Sequence, residues 1–237
     1  MIKSYEQMLE QLKAKTNFSW SRWGDGEWQC VLGCNGANCD GHNYYKSLGE
    51  RLEAVLLSKP KYDIAVQAKA VKDMGWDIRN YLKENELQLE WGEADILHNA
   101  STEGRMTEFW EAMRGRKVLS VGTEARIVAL NKCNKHDYLF LNDVPVPEKN
   151  CWLCYEGIKY ELARWTKMND IILYSASMMS KVLIDDMYQM FGDTITQIDC
   201  GSVFAPYCGH STRKYHKQII ERIDNEQKAQ SSGNHST

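Results

Sequence analysis

The most restrictive feature of the sequence is a series of short apolar blocks, each followed at once by glycine and polar residues. Phe18 to Trp23, Tyr62 to Gln67, Lys117 to Val121, Tyr138 to Leu141, Asp170 to Tyr174 and Thr194 to Asp199 are such blocks, with a shorter run at Ile96-Leu97. Their length, and their lack of strict polar alternation, are those of strands buried on both faces, which belong to mostly parallel sheets. Between them apolar residues recur at helical spacing: Tyr5, Met8, Leu9 and Leu12 within 3–15, Leu48, Leu52, Val55 and Leu56 within 44–58, and Trp152, Tyr155, Ile158, Leu162 and Trp165 within 151–166. Further helices are predicted over 75–85, 103–114, 124–130, 178–191 and 211–226, and Val144-Pro145-Val146-Pro147 reads as an extended connector, because each proline excludes helix for itself and its predecessor. Strands alternating with helices predict the α/β class, with a Rossmann-like, mostly parallel sheet and helices on both faces.

At 237 residues this makes one domain over 1–226, with a polar, small-residue tail at 227–237 predicted to be disordered. Lys plus Arg total 29 against 32 Asp plus Glu, a net charge of -3, so no global field draws the chain to nucleic acid or anionic lipid. Residues 1–11 lack the apolar core of a signal peptide and no run approaches the roughly 20 apolar residues of a membrane span. A cytoplasmic protein with reduced cysteines is therefore expected. The oligomeric state is not read from the sequence. Trp at 8 and Tyr at 12 exceed Phe at 5, a bias toward rings with a polar edge that suits a wet cleft.

In a parallel α/β sheet, ligands bind beyond the carboxyl ends of the strands, and there the polar residues gather. The segments are Arg22-Trp23-Gly24-Asp25-Gly26-Glu27, Gly122-Thr123-Glu124-Ala125-Arg126, Ser175-Ala176-Ser177 and Asp199-Cys200-Gly201-Ser202. Read as extended backbone, Asp25 and Glu27 stand on one face, with Gly24 and Gly26 allowing close approach of a ligand. Two oxygen donors so placed suit Mn²⁺ or Mg²⁺, which completes its shell with water and phosphate oxygens; a solvated acidic turn is the plainer alternative. Arg22 would meet phosphate, and one of Trp20, Trp23 and Trp28 a base.

Ser21-Arg22-Trp23-Gly24-Asp25-Gly26-Glu27 resembles the corresponding segment of the GT-D-type glycosyltransferases, a Rossmann-like family with an Asp-x-Glu motif. Leu97-His98-Asn99-Ala100, Val118 to Gly122, Asp170 to Lys181 and Ile198 to Ser202 resemble that family's later strand-end blocks in the same order, so that the likeness spans about residues 17–213. The resemblance implies a metal-dependent transferase in which Asp25 and Glu27 support binding of a nucleoside diphosphate sugar through Mn²⁺ or Mg²⁺, with Glu27 the nearer to the metal. The acceptor it implies is a hydroxyl, as on a glycan; a second reading puts that hydroxyl on a modified base in nucleic acid, met by a local basic strip of Arg213, Lys214, His216, Lys217 and Arg222. A noncatalytic module that binds a nucleotide or nucleotide sugar is the alternative from another class.

The remaining candidates each carry two readings. Lys181, after Ser177, would meet a diphosphate beside a helix N-terminus, or be a solvated helix lysine. Asp199 would serve as general base or hydroxyl acceptor, or with Ser202 as a helix cap. Glu124, beside Gly122, and Arg126 would bind sugar hydroxyls, Glu124 with a possible catalytic role; it also suits a helix N-terminus. Arg213 would face phosphate, or belong with Lys214 and His216 to a solvated basic face. His98 would orient a substrate or be structural. Cys30, Cys34, Cys39, His42 and the Cys151-x-x-Cys154 pair could arithmetically hold zinc, although their spacing matches no standard knuckle; reduced, partly buried thiols are the alternative.

Overall fold

The computed structural model describes residues 2–133, 139–168, 170–209, 211 and 213–233. Its centre is a seven-stranded sheet in the order β3-β2-β1-β7-β6-β4-β5, formed by β1 (Ser19–Trp23), β2 (Asp63–Val66), β3 (Gly92–Glu93), β4 (Lys117–Gly122), β5 (Leu139–Pro145), β6 (Ile171–Ser175) and β7 (Thr196–Asp199). Every pairing is parallel. The helices are α1 (Tyr5–Ala14), α2 (Asp25–Val31), α3 (Lys46–Leu57), α4 (Ala68–Glu84), α5 (Ile96–Thr102), α6 (Met106–Ala112), α7 (Glu124–Cys133), α8 (Tyr155–Thr166), α9 (Met179–Phe191) and α10 (Lys214–Gly233).

The apolar blocks become strands because both sheet faces are covered. Consecutive strand residues point to opposite faces, so Val118, Ile171 and Leu173 enter one core while Leu119, Ile172 and Tyr174 enter the other. One core is closed by α2, α3, α4, α8 and α9, the other by α1, α5 and α6. A polar residue at any of these positions would forfeit about 1.5–3 kcal/mol of burial. Trp20, Trp23 and Trp28 are fully enclosed in the two cores, so none is available to stack on a base.

Several expected elements are redrawn. The segment after β1 is not an extended loop but the helix α2. Ile96-Leu97 opens α5 instead of forming a strand; the edge strand is Gly92–Glu93, too short to show a pattern. Val144 and Pro145 complete β5, on the sheet edge where proline's missing donor is tolerated. Helix α10 runs to Gly233, beyond the expected start of the tail. Tyr138 and residues 234–237 lie outside the described residues. No helix among those described is long and apolar enough to cross a membrane.

Outward from its centre the sheet runs β1, β2, β3 to one edge and β7, β6, β4, β5 to the other. The first and last strands in the chain, β1 and β7, thus pair at the centre, and open α/β sheets bind their ligands at the carboxyl edge of the strands.

Candidate functional site

A cavity of about 630 Å³ opens at that edge, large enough for a ligand of cofactor size. The β1 end contributes Arg22, Gly24, Asp25, Gly26 and Glu27, the β2 end Gln67 and Lys69, and α5 His98, Asn99 and Thr102 with Asp95 before it. The far wall is Arg126, Ser177, Lys181, Gly201 and Ser202, and the rim is Asn38, Cys39, Asp40, Arg213 and Tyr215.

The Asp-Gly-Glu segment forms the first turn of α2, where residues two apart stand about 200° around the axis. The two carboxylates therefore diverge. Asp25 is 44% exposed, with Oδ1 accepting the Gly26 N–H at 3.0 Å and Oδ2 3.8 Å from Lys69 Nζ. Glu27 is buried; its Oε2 accepts the Gly24 N–H at 2.8 Å, satisfying an amide at the helix N-terminus. A Cβ on Gly24 would lie 2.3 Å from Gln67 Oε1, so a larger residue here would push the Gln67 side chain off Asp95.

Glu27 Oε1 lies 2.7 Å from Lys181 Nζ, which is also 2.8 Å from Asp199 Oδ2. Lys181 is 3% exposed and Asp199 not at all. The ammonium also donates to the Ser177 carbonyl at 3.3 Å, which the left-handed backbone of Ser177, φ 55°, turns toward it. Burial alone would push the Glu27 carboxyl up, but attraction and hydrogen bonding from Lys181, with the Gly24 amide, hold it below the ordinary carboxylate range. Burial likewise pulls Lys181 down, and the charges of Asp199 and Glu27 reverse this, so that the lysine is held protonated.

An ammonium thus stands between Glu27 and Asp199, where a divalent ion bridging them would need to be. Asp25 and Glu27 do not fit a joint chelate for Mn²⁺ or Mg²⁺; Asp25 alone faces the cavity with a carboxylate open to an ion completed by phosphate oxygens and water. Among the described residues, no three His, Cys, Asp or Glu side chains gather into a metal-binding group. His42 Nδ1 lies 3.6 Å from Cys151 Sγ, which donates to the Ala176 carbonyl at 3.3 Å. Cys34, Cys39 and Cys154 are exposed.

Three sequence candidates lie off the cavity. Asp199 closes β7 beneath Lys181, accepts the Gly201 N–H and has no exposed surface, so it reaches a ligand only through Lys181. Glu124 is exposed at the start of α7, where the helix dipole favours it, while Arg126, two residues on, turns inward and donates to the Ser175 carbonyl at 2.8 Å. Gly122 packs against Ser175 within the sheet.

The cavity also holds residues that the sequence did not single out. Asp95 accepts from Arg22 at 3.1 Å and from Gln67 at 2.9 Å through its Oδ1. Arg213 and Asp40 form a bidentate pair at 2.9 and 2.8 Å. Gln67 closes the block Tyr62 to Gln67, so the strand-end rule could have found it; Asp95 precedes the Ile96-Leu97 run and Asp40 lies in a loop, neither with such a signal. His98 is buried, with Nε2 3.5 Å from Ser202 Oγ and Nδ1 unpartnered. Burial, then the charge of Arg22, holds its ring well below the ordinary histidine value, hence neutral.

No protein-family model and no curated protein matches this sequence. Solved structures do match in fold. One, described as showing that the highly conserved domain of unknown function 1792 has a distinct glycosyltransferase fold, superposes with a TM-score of 0.63 at 20% identity over 87% of this chain and 80% of that one. Another, a new glycosyltransferase (DUF1792) from Streptococcus sanguinis, gives 0.63 at 18% identity over 87% of this chain and 84% of that one. The fold of this chain is the one these domains share.

Proposed function

We propose that the protein transfers a glycosyl group from a nucleoside diphosphate sugar to an acceptor hydroxyl. The observation that carries this reading is the cavity at the carboxyl ends of β1 and β7, in which Arg22, Lys69, Arg126, Lys181 and Arg213 face hydroxyl, amide and carboxylate groups. A diphosphate needs the cations and a sugar needs the mixed donors and acceptors. The fold shared with DUF1792 domains supports it.

In this reading Arg126 and Arg213 meet the charge gathering on the departing diphosphate, while Lys181, whose three donors are taken by Glu27, Asp199 and the Ser177 carbonyl, holds the cavity floor in place. Glu27 and Asp199 act as positioning residues. Asp95, anchored through one oxygen by Arg22 and Gln67, replaces Asp199 and Glu124 as the carboxylate that accepts the acceptor's proton. A Mn²⁺ or Mg²⁺ ion held by Asp25 and the donor's phosphate oxygens would supply further charge neutralisation.

The test is a thermal-shift panel of nucleoside diphosphates and their sugars, with and without Mn²⁺, followed by an assay for donor cleavage. A ligand at a hundred times its Kd should stabilise the fold by about 2.7 kcal/mol. A flat panel would sink the reading, and stabilisation with no cleavage or transfer would leave a noncatalytic nucleotide-sugar module. Asp95→Asn should keep donor binding and lose turnover about 10²-fold or more; unchanged turnover would remove Asp95 from the chemistry.

A further inference from the structure

The guanidinium of Arg213 and the carboxylate of Asp40 meet across the cavity rim in two parallel hydrogen bonds, with side chains 26% and 19% exposed. Arg213 precedes α10, whereas Asp40 belongs to the segment joining α2 to α3. That segment is built to present the carboxylate. Asn38 Oδ1 accepts the N–H groups of Asp40 and His42 at 3.1 and 3.0 Å, and Asn38 Nδ2 donates to Ser177 Oγ at 2.9 Å. Arg126 lies near enough for its charge to act on the same carboxylate. A cavity-lining arginine is thus occupied by a carboxylate supplied by the chain itself, and the planar fork that takes a carboxylate bidentately takes a phosphate in the same way.

We propose that Arg213 forms the subsite for a phosphoryl group of the donor's diphosphate, and that Asp40 is its built-in occupant, exchanged for phosphate on binding. The proposal rests on the glycosyl-transfer reading of this cavity. Exchange breaks the tie between Asp40 and Arg213, so segment 33–43 loses one of its anchors when the anion arrives. The donor's affinity is then set partly by competition with Asp40, which also disfavours neutral sugars, since these cannot replace a charge on the fork.

The experiment is isothermal titration with inorganic pyrophosphate, which carries neither base nor sugar, into wild type, Asp40→Asn, Arg213→Gln and the double variant. Asp40→Asn should bind about five-fold more tightly, the scale of a partly exposed ion pair, and the gain should vanish in the Arg213→Gln background. A gain that persists without Arg213 is a general field effect and overturns the proposal, as does unchanged or weaker binding by Asp40→Asn. Hydrogen exchange on the wild-type protein needs no variant: pyrophosphate should speed exchange in 33–43, and added protection there would equally count against exchange. Titration with UDP, ADP and GDP separates the two levels. Nucleotide binding unaffected by Arg213→Gln defeats this subsite and leaves the transfer reading standing, whereas no nucleotide binding by any variant defeats both.

Discussion

Lys181 shows how far a residue's role depends on its partners. In the sequence it is one lysine in a helix, and a lysine in a helix is usually solvated. In the fold it is a buried cation shared by Glu27 and Asp199, which lie 154 positions before it and 18 after it in the chain (181 − 27 and 199 − 181). Its neighbours in the sequence carry no sign of this. Removing the ammonium would leave two carboxylates buried and unpaired. Lys181→Met should therefore lower stability by about 3–5 kcal/mol, measured by urea unfolding. Adding Glu27→Gln and Asp199→Asn should recover much of the loss, since the burden is uncompensated charge; a triple variant less stable than the single one would show that packing, not charge, dominates there. Asp25 and Glu27 were legible as site residues because they follow a strand. Their separate roles were not, since these depend on whether the backbone is extended or helical.

That backbone choice is made at the level of elements. Gly24 and Glu27 close the N-terminus of α2 by the amide-to-carboxylate hydrogen bond, and α2 is then held by packing on α3. The contact needs Gly49, whose added Cβ would meet the Cys30 carbonyl oxygen at 2.4 Å. Gly49→Ala should cost about 1–3 kcal/mol by overpacking. Gly157 offers the opposite case: it lies exposed inside α8 with no atom within 4 Å of an added Cβ, so Gly157→Ala should gain roughly 0.5–1 kcal/mol from helix propensity. Denaturant midpoints of the two variants check both signs, and a shift of Gly49→Ala in the stabilising direction would contradict the α2–α3 packing. The long strands and the amphipathic α1, α3 and α8 were readable because burial of one face writes a period into the sequence. Gly92–Glu93 and α2 were not: two residues have no period, and α2 is short, with its glycine cap resembling a loop.

At the scale of the molecule, the near-balanced charge conceals an uneven interior. His98 and His42 are both held below the ordinary histidine value of 6.5, in each case first by burial. For a group whose pKa is depressed in the folded state, the unfolded chain binds the extra proton, so stability is complete above 6.5 and declines as pH falls from there. Glu27 and Asp40, held below their ordinary values of 4.5 and 3.8, add a second decline below those values. Thermal melts should accordingly fall in two stages between pH 7 and pH 3, and His98→Gln should flatten the first stage; an unchanged slope there would mean that His98 is not buried neutral.

The parallel sheet, its two cores and the strand ends that line the cavity were all contained in the sequence, because hydrophobic burial is roughly additive along the chain and repeats with each element's period. The assignment of roles was not. Lys181 between two carboxylates, Asp40 on Arg213 and Asp95 between Arg22 and Gln67 are pairings of charges remote in sequence, and such energies depend on distance and dielectric that exist only once the strands lie side by side.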